Sequence, residues 1–540
     1  MKRIALCLAA SACLAASPVD AQAHRHAPKE TLGTVSFGTS CAPAVSSRFD
    51  TAVALMHSFQ FGRAIDALNA ILKDDPGCAM AYWGIAISVW GNPFAGFKSP
   101  AQLAQGAAAV RQARAAGGKT ARERGYIEAV AQLYTEDARV RQPARMEAYE
   151  TAMAAVAAAN PTDSEATIFY ALALAAAADP ADRTYAKQLK AGALLERLFA
   201  RFPDHPGLAH YIIHAYDEPA LASRAATAAA RYSAIAPSTP HALHMPSHTF
   251  TRVGDWQGSI AANRGSAAAA QAAGQPADML HASDYLVYAY LQTGQDRLAA
   301  DLVKASAATF AAFDPAHATG AAPPSAAFYA QAAIPARYEL ERHAWADAAR
   351  LEVVAGPFAN ARAISVYARG IGAAQSRDRA SANQAIDALA KLREELVRSH
   401  DDYWAGQVEI QRQEVAALLA RAQGEAGAAI AGLRAAARME DRTELASVTP
   451  GPFLPARELL GELLLEENRP DEALAAFRAS LAKEPNRFWS LYGAMQAAAQ
   501  SGDRVAKRAY GKQLDSVTGG RSFRTIAAER SAQADKRPAH

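Results

Sequence analysis

The chain has 540 residues, more than one ordinary hydrophobic core organises, so several domains or a repeat array are expected. A formal net charge of +3, with both signs scattered, leaves no basic stripe for nucleic acid and no acidic tail. Alanine- and leucine-rich periodic segments dominate and β-branched runs are scarce, which predicts an all-α fold.

The N-terminus reads as an export signal over residues 1–23. Met1-Lys2-Arg3 is the charged start, Ile4 to Ala16 the apolar run, and Ala21-Gln22-Ala23 a small-residue cleavage site. Cys13 has no leucine three residues before it, which leaves lipidation the lesser alternative. No other apolar run approaches ~18 residues, so no transmembrane helix is predicted. The mature protein is thus expected in the periplasm or the medium. Cleavage after Ala23 would leave His24-Arg25-His26 as a start able to chelate Cu(II), or simply as a polar, disordered end. Residues 24–44 look loosely structured.

Two cysteines remain after the signal, Cys41 and Cys78. They flank the first helical hairpin at the same end of an antiparallel pair, and an exported protein sits where disulfides form. A bridge is expected, with two free buried thiols as the alternative. Residues 45–78 form the first repeat-like hairpin, with Phe61, Ala64 and Pro76 at its aromatic, small and terminal-proline places. The next segment, Ala79 to Gly91, is helical by spacing. Its Tyr82, Trp83 and Trp90 either line an apolar groove or pack between repeats. The pattern blurs from Asn92 to about Pro143, with breaks at Asn92-Pro93, Ser99-Pro100 and Gly117-Gly118.

Order returns at Pro161. Two His-x-x-x-His pairs follow, His210 with His214 and His244 with His248, offset by 34 residues (244 − 210 and 248 − 214). Pro203 and Pro237 keep the same offset. Gly254-Asp255-Trp256, Gly294-Gln295-Asp296 and His343-Ala344-Trp345 mark turns between paired helices, and aligning the two glycines sets His241 opposite His281. The regular stretch from Ala456 to Asn486 places Leu460, Gly461, Leu464, Ala473, Phe477 and Pro485 at repeat positions. A helix pair follows to about Leu514, and residues 516–540 read as a disordered tail.

On these residues the chain resembles tetratricopeptide repeat proteins, whose period is 34 residues and whose helix–turn–helix units stack into an α-solenoid. It is also similar, through Cys78 to Ala86, His210 to Pro219, His241 to His248 and Asp284 to Gln292, to exported bacterial members of unassigned function. The resemblance implies an N-terminal array over 45–325 and a C-terminal array over 326–515. It also implies that the second, fifth and ninth residues of each first helix face a concave groove. Those places hold Gly207, His210 and His214, then His241, His244 and His248, then His281, Asp284 and Tyr288. Glu218 and Arg252 stand one turn further on.

Imidazoles four apart on a helix share one face at ~5–6 Å and can bind one ion together. Neighbouring helices pack at roughly 8–10 Å, so His210/His214 and His244/His248 are expected to reach a common point, with Asp284 or Glu218 as an oxygen ligand. Zinc, copper, iron or nickel would suit such a site. Affinity is then expected to fall below about pH 6, where free imidazoles protonate. Pro246 either kinks a helix that starts at Pro240 or opens a shorter helix at Met245, which would leave His241 and His244 in a loop. His57 is a further groove candidate, while His317, His343 and His400 read as surface or turn residues. No Ser-His-Asp order, phosphate loop or dinucleotide fingerprint is visible.

Three functions fit this pattern. One is a groove that holds a peptide, a protein partner or a small ligand, with a histidine-bound metal contributing. The second is a metalloenzyme, hydrolytic or oxidative, with Glu218 as general base and Tyr288 and Arg252 stabilising developing negative charge. The third is a purely structural solenoid without metal, which explains the fold but not the histidine stripe.

Overall fold

The computed structural model describes residues 30–534, apart from 96, 97, 136, 138, 139 and 447. The export signal over 1–23 and the His24-Arg25-His26 start lie outside the described residues. Among the described residues every regular element is a helix, and consecutive helices pack as hairpins into an all-α solenoid. No described helix is long and apolar enough to cross a membrane.

The hairpin turns share one device, a single left-handed residue two places before the second helix. Gly254 (φ 73°), Gly294 (φ 69°), Gly424 (φ 84°) and Gly502 (φ 80°) fill it with glycine, which adopts this backbone without penalty. Phe59 (φ 54°), His343 (φ 54°) and Asn468 (φ 54°) adopt it with a side chain. Within a hairpin, small residues let bulky ones enter. A Cβ on Gly461 would stand 2.7 Å, and one on Gly493 2.2 Å, from the ring of Phe477, which fills the space between their helices. Trp83 and Trp90 are buried in the same manner and belong to the core rather than to a groove.

Residues 30–42 have no regular structure but are anchored. Thr34 N donates to Asp204 O at 2.9 Å, and Phe37 stacks on Trp83 with ring centroids 5.2 Å apart. Cys41 and Cys78 meet at disulfide-bonding distance, with Cα atoms 4.8 Å apart, and tie this segment to the end of the first hairpin.

Packing is continuous across the boundary expected between residues 325 and 326. Helix Pro324–Glu341 runs across the boundary, and Leu280, Val287 and Ile334 share one core with Phe488, Trp489, Phe523 and Ile526. The first array also touches the last hairpin directly. Trp256 Nε1 donates to Asn486 O at 2.9 Å, and Asn486 Nδ2 donates to Gly254 O at 3.0 Å. The tail expected to be disordered over 516–540 is, in part, a helix over Phe523–Ala534. Its Phe523, Ile526, Ala527 and Arg530 form a buried i, i+3, i+4, i+7 stripe, and Arg530 binds Asp296 and Leu291 O.

One irregular segment, between helices Ala426–Glu440 and Ala456–Glu466, lies back along the histidine-bearing face. Three buried arginines hold its carbonyls. Arg252 donates to Pro450 O (3.2 Å), Arg337 to Gly451 O (2.9 Å) and Arg487 to Phe453 O (3.3 Å). Part of the hollow is thereby occupied by the protein's own chain.

Opening the Cys41–Cys78 bridge restores loop entropy to the unfolded chain. For the 37-residue separation this is worth about 3–4 kcal/mol. Denaturant unfolding of the protein with both cysteines changed to serine is expected to show a loss of that order; coincident curves with and without reductant would contradict it.

Candidate metal centre

Three helices carry the histidines. Pro206–Ala215 begins with proline at its first position, where the missing N–H costs nothing, and presents His210 and His214. The second begins at Pro240 with Thr239 before it, is interrupted at Met245, and resumes as Pro246–Arg252. Met245 keeps helical angles (φ −54°, ψ −35°), so His244 and His248 stay on one face. Pro246 withdraws the N–H due to Ala242 O, which instead lies 3.5 Å from Ser233 Oγ. The third, Pro276–Gln292, supplies His281 and Tyr285.

The six histidines form two groups of three. His210, His214 and His241 make one, and His244, His248 and His281 the other; within each, one ligand nitrogen per residue lies within 4.8 Å of the others. This corrects the expected single point shared by both i, i+4 pairs. Each pair is completed by a histidine of the next helix in the chain, His241 from the helix that begins at Pro240 and His281 from Pro276–Gln292. The groups adjoin, with ring centroids 6.1 Å apart for His214–His248 and 6.2 Å for His241–His244.

Oxygen acceptors behind the rings fix their orientation. His248 Nδ1 donates to Asp217 Oδ2 at 2.8 Å, and Asp217 Oδ1 accepts from Arg252 Nε at 3.1 Å. Burial pushes the Asp217 carboxyl up, but Arg252 and His248 outweigh it and hold it below its ordinary range. His244 Nδ1 donates to Asn263 Oδ1 at 2.6 Å; the amide orientation follows from Asn263 Nδ2 donating to Ser259 O at 2.9 Å. His210 Nδ1 donates to the His57 carbonyl at 2.6 Å. With Nδ1 committed, each Nε2 turns inward. The Nε2 atoms of His244 and His248 stand 3.0 Å apart, and so do those of His210 and His241. His214 Nε2 is buried without a hydrogen-bond partner among the described residues.

Other expected site residues are engaged elsewhere. Asp284 belongs to neither group; its Oδ1 accepts from Arg337 Nε at 2.8 Å in a fully buried ion pair. The Tyr288 hydroxyl sits between Arg487 (3.2 Å) and Glu484 (3.4 Å). Glu218 has left the helical phase, since the helix ends at Ala215; burial, with Glu444 and Asp217 nearby, raises its pKa to about 8. Arg252 acts on the cluster only through Asp217. Three residues absent from the sequence reading replace them: Asp217, Asn263 and Tyr285, whose hydroxyl lies 3.4 Å from His248 Nδ1. Of these, Asp217 and Tyr285 stand beside residues that the groove spacing marked, Glu218 and Asp284, and Asn263 does not.

His57 does not join the groove face. It lies behind it, with Nε2 2.9 Å from Glu165 Oε2, while His205 Nε2 takes Glu165 Oε1 at 2.8 Å. Burial would raise the Glu165 carboxyl, yet the two histidines draw it down to about 2. This anchored histidine presents the carbonyl that orients His210. Gly207 makes room for it, since a Cβ there would stand 2.5 Å from His57 Nδ1. His317 and His400 are the surface and turn residues expected, and His343 fills a turn with its ring stacked on Trp345 and Trp489.

Both groups open onto one cavity of about 450 Å³. His214, His241, His248 and His281 form one wall, with Met245 between them, and Phe94, Tyr329, Phe358 and Trp404 supply aromatic walls. Phe94 stacks on His214 at 4.2 Å between centroids. The volume is that of a small-molecule site.

Burial holds His210 and His281 down, to about 3 each, so both are neutral in the metal-free fold at pH 7. The unfolded chain takes up protons near pH 6.5 and the fold does not. Stability of the metal-free protein is therefore complete above that pH and lost as pH falls. The slope is roughly 1.4 kcal/mol per pH unit for each such histidine. Urea unfolding between pH 7 and 5 reads this slope, and a flat profile would contradict the burial.

No family model matches the chain, and no curated protein matches it. Three solved structures show a weak likeness to it. The human IFIT1 dimer with m7Gppp-AAAA shares 12% identity, covering 84% of this chain and 89% of that one at a TM-score of 0.32. The Cut9–Hcn1 hetero-tetramer of the APC/C shares 10%, covering 91% and 97% at 0.31. The P58(IPK) TPR domain shares 13%, covering 86% and 99% at 0.22. Likenesses of this strength say nothing about activity.

Proposed function

We propose that this protein is an exported metalloprotein whose two three-histidine groups each bind a transition-metal ion beside a small-molecule cavity. One observation carries the reading. His244 and His248 each spend their only neutral-state proton at Nδ1, on Asn263 and Asp217, so two lone pairs face each other across 3.0 Å. Such a contact is repulsive unless a cation lies between them. A proton on His244 is disfavoured, because burial and the neighbouring histidines hold it well below its ordinary pKa. A metal ion fits: two nitrogens bound at about 2.0–2.1 Å to one ion stand roughly 3–3.4 Å apart. Backing of each ligand by an Nδ1–H donor pair is also the usual support for metal-bound imidazole.

Three protein ligands leave a coordination position open, the arrangement of catalytic rather than structural sites. On this reading the open positions face the cavity, and a substrate enters there. That favours a metalloenzyme acting on a small molecule over a groove for peptides, because the segment carrying Thr449, Pro450 and Gly451 already occupies part of the hollow. The export-type N-terminus and the Cys41–Cys78 pair agree with a periplasmic location.

Elemental analysis of untagged protein is expected to give two metal ions per chain, with one lost in His244→Ala and the other weakened in His210→Ala. Equal metal content in all three would remove the proposal. Asp217→Asn takes away the carboxylate behind His248 and leaves Arg252 buried without a counter-charge. A 10–100-fold loss of metal affinity and about 3–5 kcal/mol of stability are expected, by competition with a chromophoric chelator and by urea unfolding. Unchanged affinity would contradict the role assigned to Asp217.

A further inference from the structure

Given that both groups bind metal, we infer that they form a single dinuclear copper centre whose ligand is dioxygen. The first ground is adjacency. Rings of one group face rings of the other at 6.1 and 6.2 Å between centroids, and two histidines of each group line the same cavity wall. A diatomic molecule bound at that wall would bridge the two open positions.

The second ground is charge. Each group consists of three imidazoles and no carboxylate. Asp217, the anion behind His248, is already paired with Arg252, and Asp284 is paired with Arg337. Two divalent ions would thus put four positive charges into a buried site with neutral ligands. Repulsion between two dications is about four times that between two monocations at the same separation. The site therefore favours Cu(I), the monovalent ion among the metals that imidazole suits, unless an anion bridges the pair.

Dioxygen resolves the charge problem in both redox states. Two Cu(I) ions each give one electron to the molecule, which becomes a bridging peroxide dianion between two Cu(II) ions. No proton and no further reductant is consumed, and the net charge of the centre stays at two positive throughout. Phe59 and Phe94, packed on His214, shield the first group from water, which limits loss of the peroxide by protonation.

The test uses the full exported chain, untagged, loaded anaerobically with Cu(I) and then exposed to dioxygen. Expected are two coppers per chain, one dioxygen taken up per two coppers, a strong near-ultraviolet charge-transfer band, and little or no Cu(II) paramagnetic resonance because the two spins couple. His281→Ala, on the edge of the cluster, is expected to lose the band and give the full signal of isolated Cu(II) after air oxidation. Two coppers giving full, uncoupled signals in the unsubstituted protein would overturn the pairing and leave the metal reading standing. So would copper-loaded protein that takes up no dioxygen. Protein that binds neither copper nor any other transition metal would overturn the metal reading itself.

Discussion

Everything at the candidate centre depends on where two Nδ1–H groups point. Asp217 and Asn263 take the Nδ1 protons of His248 and His244, and the two Nε2 lone pairs are thereby aimed at each other. Neither acceptor acts alone. Asp217 is kept ionised by Arg252, and Arg252 is held in turn by the carbonyl of Pro450, some 200 residues further along the chain. Asn263 is locked by Ser259 O on its own helix. On the other side of the cluster, a carboxylate shared by His57 and His205 fixes the carbonyl that takes the His210 proton. The ligand rings are thus held from behind by groups that the fold has already committed.

That dependence explains the closed architecture. An open solenoid would leave Arg252 and Arg337 facing water. Here the segment before Ala456 gives them carbonyl partners, and the last helices pack back on the Trp256–Glu341 region through Phe488, Trp489 and Arg530. The closure replaces a long groove by a cavity of about 450 Å³ with imidazoles on one wall and aromatic rings on the others. A hollow of that size suits a small, largely apolar molecule, and low dielectric around it strengthens any charge interaction within.

Much of this was legible in the sequence, for a physical reason. Helical repeats are local: the period, the left-handed turn residues and the small-for-large exchange around Phe477 all act within one hairpin or between neighbours. The histidine ladder is equally local, and its recurrence at Gly207-x-x-His210 and His241-x-x-His244 marks the face it lies on. Grouping was not legible, because it depends on how neighbouring helices pack. Extrapolating the spacing past Ala215 led to Glu218, whereas the helix ends there and the chain turns Asp217 inward. Asp284 keeps the groove phase but meets Arg337, a residue 53 positions away. The returning segment carries no periodic signal, and the stripe of the terminal helix, Phe523, Ile526, Ala527 and Arg530, is short and ends on a charged residue.

The central claim is that cations sit between these imidazoles, and anomalous X-ray diffraction from crystals of untagged, exported protein tests it most directly. The account predicts two peaks, each at about 2.0–2.1 Å from the ligand nitrogens, one among His210, His214 and His241 and one among His244, His248 and His281. Crystals with no anomalous scatterer at either position, and with ordinary hydrogen bonds between re-oriented rings, would contradict it.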